Sequence, residues 1–241
     1  MSWYANWFDT AYYHTLYKHR DENEAFAFVD QLSERFSPKD YPFLCDAACG
    51  KGRHALRFFE QGFKVDAFDL SEQSIRIAKE SAKVGLHFFE HDITQPFASQ
   101  KYNMATNLFT SFGYFDSEIN DLQALSAIVE SLKSDGVFIQ DFLNANLVEE
   151  DRQWNKKELD GITFRTKKKV SNGFVRKEIE VIDQGELHRF HEQVRLFNLR
   201  DFERLYKMVG LEIINIYGGY KLNSFDPMSS NRLILVSKPK N

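Results

Sequence analysis

The chain has only two cysteines among its 241 residues, no surplus of basic charge and no long apolar run. Each shortage excludes something. Cys45 and Cys49 sit together at the end of one expected strand; two thiols cannot make a four-ligand zinc site, and no paired histidine lies nearby. They read as the reduced thiols of a cytoplasmic protein. Lys and Arg number 31 against 35 Asp and Glu, a formal net charge of −4, so a general nucleic-acid binder that works by neutralising phosphates is not expected. No apolar stretch is long enough to span a bilayer, so no membrane partner is expected. The start Met1-Ser2-Trp3-Tyr4-Ala5-Asn6-Trp7-Phe8 lacks the basic segment and apolar run of a signal peptide. Internal repeats and low-complexity tracts are absent as well.

What is present is aromatic and rhythmic. The 23 phenylalanines suit either a Phe-rich core or an aromatic-walled pocket, and the count does not choose between them. Residues Trp3 to Phe36 carry apolar side chains at helical spacing, and Ser37 to Pro42 is a turn-rich break. A strand-helix alternation follows: strands at Phe43–Ala47, Phe63–Asp69, Leu86–His91, Tyr102–Phe109 and Val137–Phe142, with helices over Arg53–Gln61, Ser71 to about Val84, and Asp116–Leu132. Such alternation predicts an α/β fold with a doubly wound, mostly parallel sheet. After Asn144 the rhythm changes to three strands without helices, Gly161–Val170, Phe174–Val181 and Leu187–Phe197, the first two joined by the hairpin signal Asn172-Gly173. A helix from Asn198 or Asp201 to Gly210 and strands at Leu211–Tyr217 and Arg232–Ser237 finish the sheet as an antiparallel pair. The expected organisation is one domain over 1–241, with an N-terminal helical cap over 1–37 and an antiparallel β insertion over 145–197 acting as lid or interface.

The informative stretch is Asp46-Ala47-Ala48-Cys49-Gly50-Lys51-Gly52-Arg53-His54-Ala55, between a strand and a helix. Small residues let a ligand approach the backbone, and the helix start behind them offers unpaired N–H groups. On spacing alone, Gly50-x-Gly52-x-x-Ala55 also fits a dinucleotide fingerprint, so an NAD(P)-binding oxidoreductase is the alternative reading. Acids separate the two. Asp46, at the strand end, would repel a pyrophosphate and suits the ammonium of an amino acid. Asp69 ends the next strand, where a carboxylate accepts ribose hydroxyls in either ligand. In His91-Asp92-Ile93, Asp92 can accept from an adenine amino group while Ile93 packs on the ring.

Over nearly its whole length, Phe43 to Lys238, the chain resembles a class I S-adenosylmethionine (SAM)-dependent methyltransferase. The resemblance rests on Asp46 to Gly52, Val65 to Ser71, His91-Asp92-Ile93, Asn107-Leu108-Phe109, the Leu132 to Val137 turn and the terminal strand pair. It implies a seven-stranded mixed sheet with one antiparallel strand, and SAM lying across its C-terminal edge. By position, Asp46, Ala48, Gly50 and Gly52 would hold the amino-acid part of SAM, Asp69 with Leu70 the ribose, and Asp92 with Ile93 the adenine. Asn107 and Leu108 would pass near the methionine and sulfonium. Ala48 stands where the family often has glycine. An N-terminal aromatic helix and an antiparallel insert after the fifth strand resemble glycine-type N-methyltransferases. The resemblance implies that Tyr12 to Arg20 folds over SAM, with Arg20 pairing its carboxylate and Tyr12 or Tyr13 touching it.

The acceptor is less legible. Methyl transfer from a sulfonium is an in-line displacement in which positioning supplies much of the rate. The fourth strand lacks the Asn/Asp-Pro-Pro-Tyr/Phe motif of DNA and protein amino-group methylators and reads Asn107-Leu108-Phe109-Thr110-Ser111-Phe112-Gly113-Tyr114. Tyr13, His14, Tyr114 and His191 are the candidate catalytic residues, with the histidines as candidate bases. Asp141 and Asn144 resemble the acidic edge of metal-dependent catechol methylators, but with no third ligand no metal is assigned. Lys167-Lys168-Lys169 reads as a solvated strand face. The expected activity is methylation of a small-molecule N- or O-nucleophile by a monomer or homodimer, yielding S-adenosylhomocysteine (SAH); a SAM-binding protein without turnover is a further alternative.

Overall fold

Strands apolar on both sides of the pleat need helices on both faces, and the chain provides them. The computed structural model describes residues 3–18 and 22–240. Helices α1 (Trp3–Phe8), α2 (Ala11–Leu16) and α3 (Glu22–Arg35) come first. Then follow β1 (Phe43–Ala47), α4 (Arg53–Glu60), β2 (Lys64–Asp69), α5 (Glu72–Ala78), β3 (Leu86–Glu90), β4 (Tyr102–Asn107), α6 (Glu118–Ser131) and β5 (Leu132–Leu143). Strands β6 (Asn155–Leu159), β7 (Ile162–Ser171), β8 (Phe174–Asp183) and β9 (Glu186–Arg195) precede α7 (Leu199–Val209), β10 (Leu211–Tyr217) and β11 (Arg232–Pro239).

The main sheet has the order β10-β11-β5-β4-β1-β2-β3. Strands β1 to β5 pair in parallel, and β11 runs antiparallel to both of its neighbours. This is the seven-stranded mixed sheet expected from the sequence. Alternation along β5 and β11 divides the core: Val137, Ile139, Ile234 and Val236 face Phe28, Leu32 and Phe58, while Phe138, Phe142, Leu233 and Leu235 face Leu125, Phe202 and Leu205. Chain order reverses between β1 and β4, which opens a crevice at the C-terminal ends of these strands.

The second sheet, β6-β7-β8-β9, is antiparallel and has one strand more than the sequence suggested. The missed strand, Asn-Lys-Lys-Glu-Leu, is an exposed edge with almost no apolar signal, and its lysines suit an edge that must not pair further. Its three hairpin turns are Asp160-Gly161, Asn172-Gly173 and Gln184-Gly185, with φ between 48° and 85°. All three are the same X-Gly turn, and Asp-Gly is as strong a hairpin signal as Asn-Gly. Within this sheet Lys169 pairs with Glu178 at 2.7 Å and Lys168 lies 3.6 Å from Asp151, so the basic run is largely compensated.

The aromatic N-terminus is broken, not one helix. Thr10 accepts from the Tyr13 N–H and starts α2 afresh. At the other end, Asn198 and Asp201 form a reciprocal capping box, so both residues named as possible starts of α7 cap it together. Trp7, 1% exposed, packs with Phe164, Ile179 and Val181 in a satellite core. The N-terminal helices therefore rest on the inserted sheet.

Candidate active site

The loop between β1 and α4 bends through three left-handed positions, Ala48 (φ 60°), Gly50 (φ 55°) and Gly52 (φ 80°). They need small residues for different reasons. A Cβ on Gly50 would meet nothing within 4 Å. A Cβ on Gly52 would lie 2.5 Å from the Phe88 ring, so glycine there is demanded by the core and the backbone; Gly52 is not among the residues that line the cavity. Ala48 holds its left-handed angle at a cost that glycine avoids. Ala48→Gly is expected to stabilise the fold by about 0.5–1 kcal/mol, after the greater chain entropy of glycine is deducted; urea unfolding would measure it, and a loss would contradict this account of the loop.

Asp69 ties this loop to the end of β2. Its Oδ2 accepts the Gly50 N–H at 2.8 Å and its Oδ1 accepts the Ser71 N–H at 2.9 Å. Burial pushes its carboxyl up, and these backbone donors oppose the push. Each oxygen keeps a second lone pair, as an acceptor for two vicinal hydroxyls requires. Asp92, braced through Oδ1 by the Thr94 N–H and hydroxyl, lines the same cavity with Ile93 and Leu70.

Asp46 and Asn107 stand one layer back. Asn107 donates to the Ala47 and Ser111 carbonyls, 3.0 and 3.1 Å, and joins β1 to the loop after β4. Asp46 accepts the Thr106 hydroxyl at 2.8 Å, and its other oxygen is buried without a hydrogen-bond partner among the described residues. Neither lines the cavity, because each is the inward residue of its strand end. Burial pushes the Asp46 carboxyl up to about 7, with Asp69 adding to it against the Thr106 hydrogen bond. The sign follows by linkage. The folded state holds this proton more tightly than the unfolded state, so the group disfavours folding increasingly as pH rises from about 4 to 7. For Asp46→Asn, the stability difference from the wild type is expected to move in the variant's favour by about 4 kcal/mol between pH 4 and 8. Parallel pH profiles in urea unfolding would refute it.

Ala48, Gly50, Asp69, Asp92 and Ile93 floor a cavity of about 620 Å³. Its roof is aromatic: Tyr4, Phe8, Tyr13 and Tyr17 from the N-terminal helices and the turn after α2, with Tyr114 and Phe115 from the loop after β4. Phe8 touches Tyr13 and Tyr114 with ring centroids 5.0 and 5.3 Å apart. Two acids fasten the roof. Glu192 on β9 accepts from Trp7 Nε1 at 2.8 Å and the Tyr17 hydroxyl at 2.6 Å, and it also lines the cavity. Asp9 accepts from the Ser71 hydroxyl at 2.7 Å and the Gln73 N–H at 3.0 Å, pinning the N-terminal segment to the start of α5. Neither acid stands out in the sequence, since each acts on residues more than sixty positions away.

The remaining candidates divide. Tyr13, His14 and Tyr114 line the cavity. Tyr114 donates its hydroxyl proton to the Thr110 carbonyl at 2.5 Å. Burial, helped by Lys51, holds His14 down to about 4, which makes it a neutral imidazole and too weak a base for an ammonium proton. His191 is not among the cavity's lining; its ring lies against Trp3, centroids 5.4 Å apart, and burial lowers its pKa. Tyr12 points away from the cavity to donate to Asp183 at 3.1 Å, because its helix face packs on the inserted sheet. Arg20 lies outside the described residues. Leu108 lines the cavity. Both cysteines are free and buried, with thiols pushed up by burial.

A doubly wound sheet with a nucleoside-sized crevice, acids at the ends of β2 and β3, and an antiparallel β11 defines the class I Rossmann-like methyltransferase fold. Residues 44–136 match the family model described as a methyltransferase domain. The chain is similar to a methyltransferase-named protein of Geobacillus sp. (strain WCH70), 30% identical over 118 residues that span 48% of each chain. The chain thus spans about half the length of that relative. It is also similar to the glycine/sarcosine N-methyltransferase of Aphanothece halophytica, 27% identical over 213 residues covering 84% of this chain and 77% of the other. In structure it is similar to an S-adenosylmethionine-dependent methyltransferase from Clostridium acetobutylicum, with TM-score 0.79, 18% identity and coverage of 95% and 96% of the two chains. The fold is that of the class I SAM-dependent methyltransferases, and residues 44–136 match a methyltransferase domain.

Proposed function

We propose that this chain transfers a methyl group from SAM to the nitrogen of a small-molecule amine. The single observation that carries the acceptor half is the aromatic roof, with Glu192 at its edge, placed directly over the crevice. Aromatic faces attract a cationic amine, and a nearby carboxylate favours it further. The name of the Aphanothece halophytica relative, a glycine/sarcosine N-methyltransferase, points the same way.

The crevice suits the donor on its own chemistry. Asp69 offers lone pairs for a ribose, Asp92 and Ile93 an acceptor and an apolar face for a base, and Gly50 an open backbone approach. A cavity of about 620 Å³ lies within the range that encloses a cofactor-sized ligand. When bound, SAM supplies an electrophilic methyl group on its sulfonium. The chain's own part is to orient and to exclude water: the roof residues close the site, and the Tyr114 hydroxyl and the loop after Leu108 shape the acceptor end. With His14 held neutral, the amine that the roof attracts as its cation gives up its proton to water before the transfer, and the positive charge returns to the nitrogen as the methyl arrives. We read the segments 1–37 and 145–197 together as the lid. The two unpaired, buried thiols suit a reducing compartment, and we place the protein in the cytoplasm.

The test is methyl incorporation from labelled SAM across a panel of primary and secondary amines, amino acids, amino sugars and matched alcohols. The expected result is incorporation into one class of amine, with its alcohol counterpart inert. Incorporation into alcohols alone, or SAH binding without turnover on any acceptor, would overturn the amine assignment.

A further inference from the structure

Phe109 and Thr110, just beyond β4, take left-handed φ angles of 61° and 62°. For the β-branched Thr110 this is a rare conformation, and two left-handed residues in succession without a glycine require an external restraint. Asp141 on β5 and Arg232 at the start of β11 provide it. Asp141 is 1% exposed. Its Oδ2 accepts the Phe109 N–H at 2.8 Å, its backbone carbonyl accepts the Thr110 N–H at 2.9 Å, and its Oδ1 accepts Arg232 Nε at 2.7 Å. Arg232 Nη2 donates to Thr110 Oγ1 at 2.8 Å, and the Tyr220 hydroxyl donates to Asp141 Oδ2 at 3.2 Å. The Phe109 ring lies near two guanidinium groups, 4.7 Å from Arg53 and 5.9 Å from Arg232. Phe109, Thr110 and Arg232 all line the cavity.

A buried ion pair is a poor source of stability, since desolvation offsets its attraction. Here one carboxylate oxygen and the backbone carbonyl of Asp141, together with one guanidinium nitrogen of Arg232, are aimed at one two-residue turn. Asp141 also answers an open point of the sequence: its carboxylate serves the turn and Arg232. We propose that Asp141 and Arg232 are a positioning pair, which holds the Phe109–Thr110 turn in its left-handed form and thereby fixes the wall against which the methyl acceptor is placed. They act through the turn, so their removal changes turnover more than affinity. Only this turnover consequence rests on the methyl-transfer reading.

The test compares Asp141→Asn and Thr110→Val in the full chain by amide hydrogen exchange, SAH titration and turnover with an amine found in the panel. Thr110→Val removes the Arg232 anchor and leaves the buried pair in place, so it keeps the test open even where Asp141→Asn folds poorly. The expected result is exchange of the 107–111 amides faster by about tenfold in Asp141→Asn and by a smaller factor in Thr110→Val, with β1 and β2 amides unchanged. The kcat is expected to fall about 10- to 100-fold while the acceptor KM and the SAH affinity hold within about threefold. Unchanged exchange at 107–111 in both variants overturns the proposal. So does faster exchange spread evenly over all strands in Asp141→Asn with none in Thr110→Val, the signature of a merely structural pair. Where no amine is turned over, the exchange result alone decides the pair's role, and the missing turnover counts against the amine reading only.

Discussion

Asp69→Ala is expected to weaken SAH binding by about 100-fold or more while leaving the protein folded. Two losses combine. The carboxylate supplies the lone pairs proposed for the ribose, and it also braces the glycine loop through the Gly50 N–H and the start of α5 through the Ser71 N–H. Charge-assisted hydrogen bonds contribute roughly 1.5–3 kcal/mol each, and every 1.4 kcal/mol is about tenfold in affinity. Global stability should change far less. The carboxylate is partly buried and raised in pKa by desolvation, so removing it relieves that penalty while it leaves two backbone donors unpaired. Calorimetry with SAH measures the effect, with exposed Lys207→Ala on α7 as the control. Equal affinities for the two variants would contradict the site.

Gly52→Ala is expected to do the reverse and unfold the chain from within, at a loss of about 3–4 kcal/mol. Its Cβ would lie 2.5 and 2.8 Å from two ring carbons of Phe88, itself buried in the core against α4 and α5. Overpacking of that kind costs about 1–3 kcal/mol, and the left-handed φ of 80° adds about 1–2 more for any residue with a Cβ. Gly50→Ala separates the two effects: with nothing within 4 Å of its Cβ, it should destabilise by only about 1 kcal/mol while it narrows the cavity mouth. Urea unfolding of the two variants checks this directly, and Phe88→Leu should recover part of the loss in Gly52→Ala but none in Gly50→Ala. Equal stability of the two alanine variants would contradict the steric difference between a glycine packed on Phe88 and one at the open cavity wall.

The contrast between these two glycines shows where sequence reasoning stops. The pattern Gly50-x-Gly52 told that the backbone bends sharply before a helix, and that much follows from local sterics. Which glycine the core itself demands depends on Phe88, a residue 36 positions later in β3, and no local spacing records it. The sheet itself was readable because each strand of a doubly wound fold carries its own apolar signal and its own punctuation: Ser71 at a helix start, Gly210 at a helix end. Strand β6 carried neither and was missed. Asp69, Asp92 and Ile93 were readable because strand ends in this fold have fixed positions relative to the crevice. Asp9, Glu192 and Arg232 were not, since their partners come from other elements and a lone acid or arginine in a sequence of ordinary charge looks like a solvated one. The aromatic surplus found both of its meanings, since Phe138, Phe142 and Phe202 fill the core while Phe8, Tyr13 and Tyr114 wall the cavity.

The central claim, that the crevice above β1, β2 and β3 is built for a methyl donor and not for a dinucleotide, is tested most directly by titrating the folded wild-type protein with SAH and with NAD under identical conditions. The account predicts one-to-one binding of SAH and no measurable heat from NAD. Binding of NAD in preference to SAH, or silence from both by a protein whose unfolding transition is intact, would contradict it.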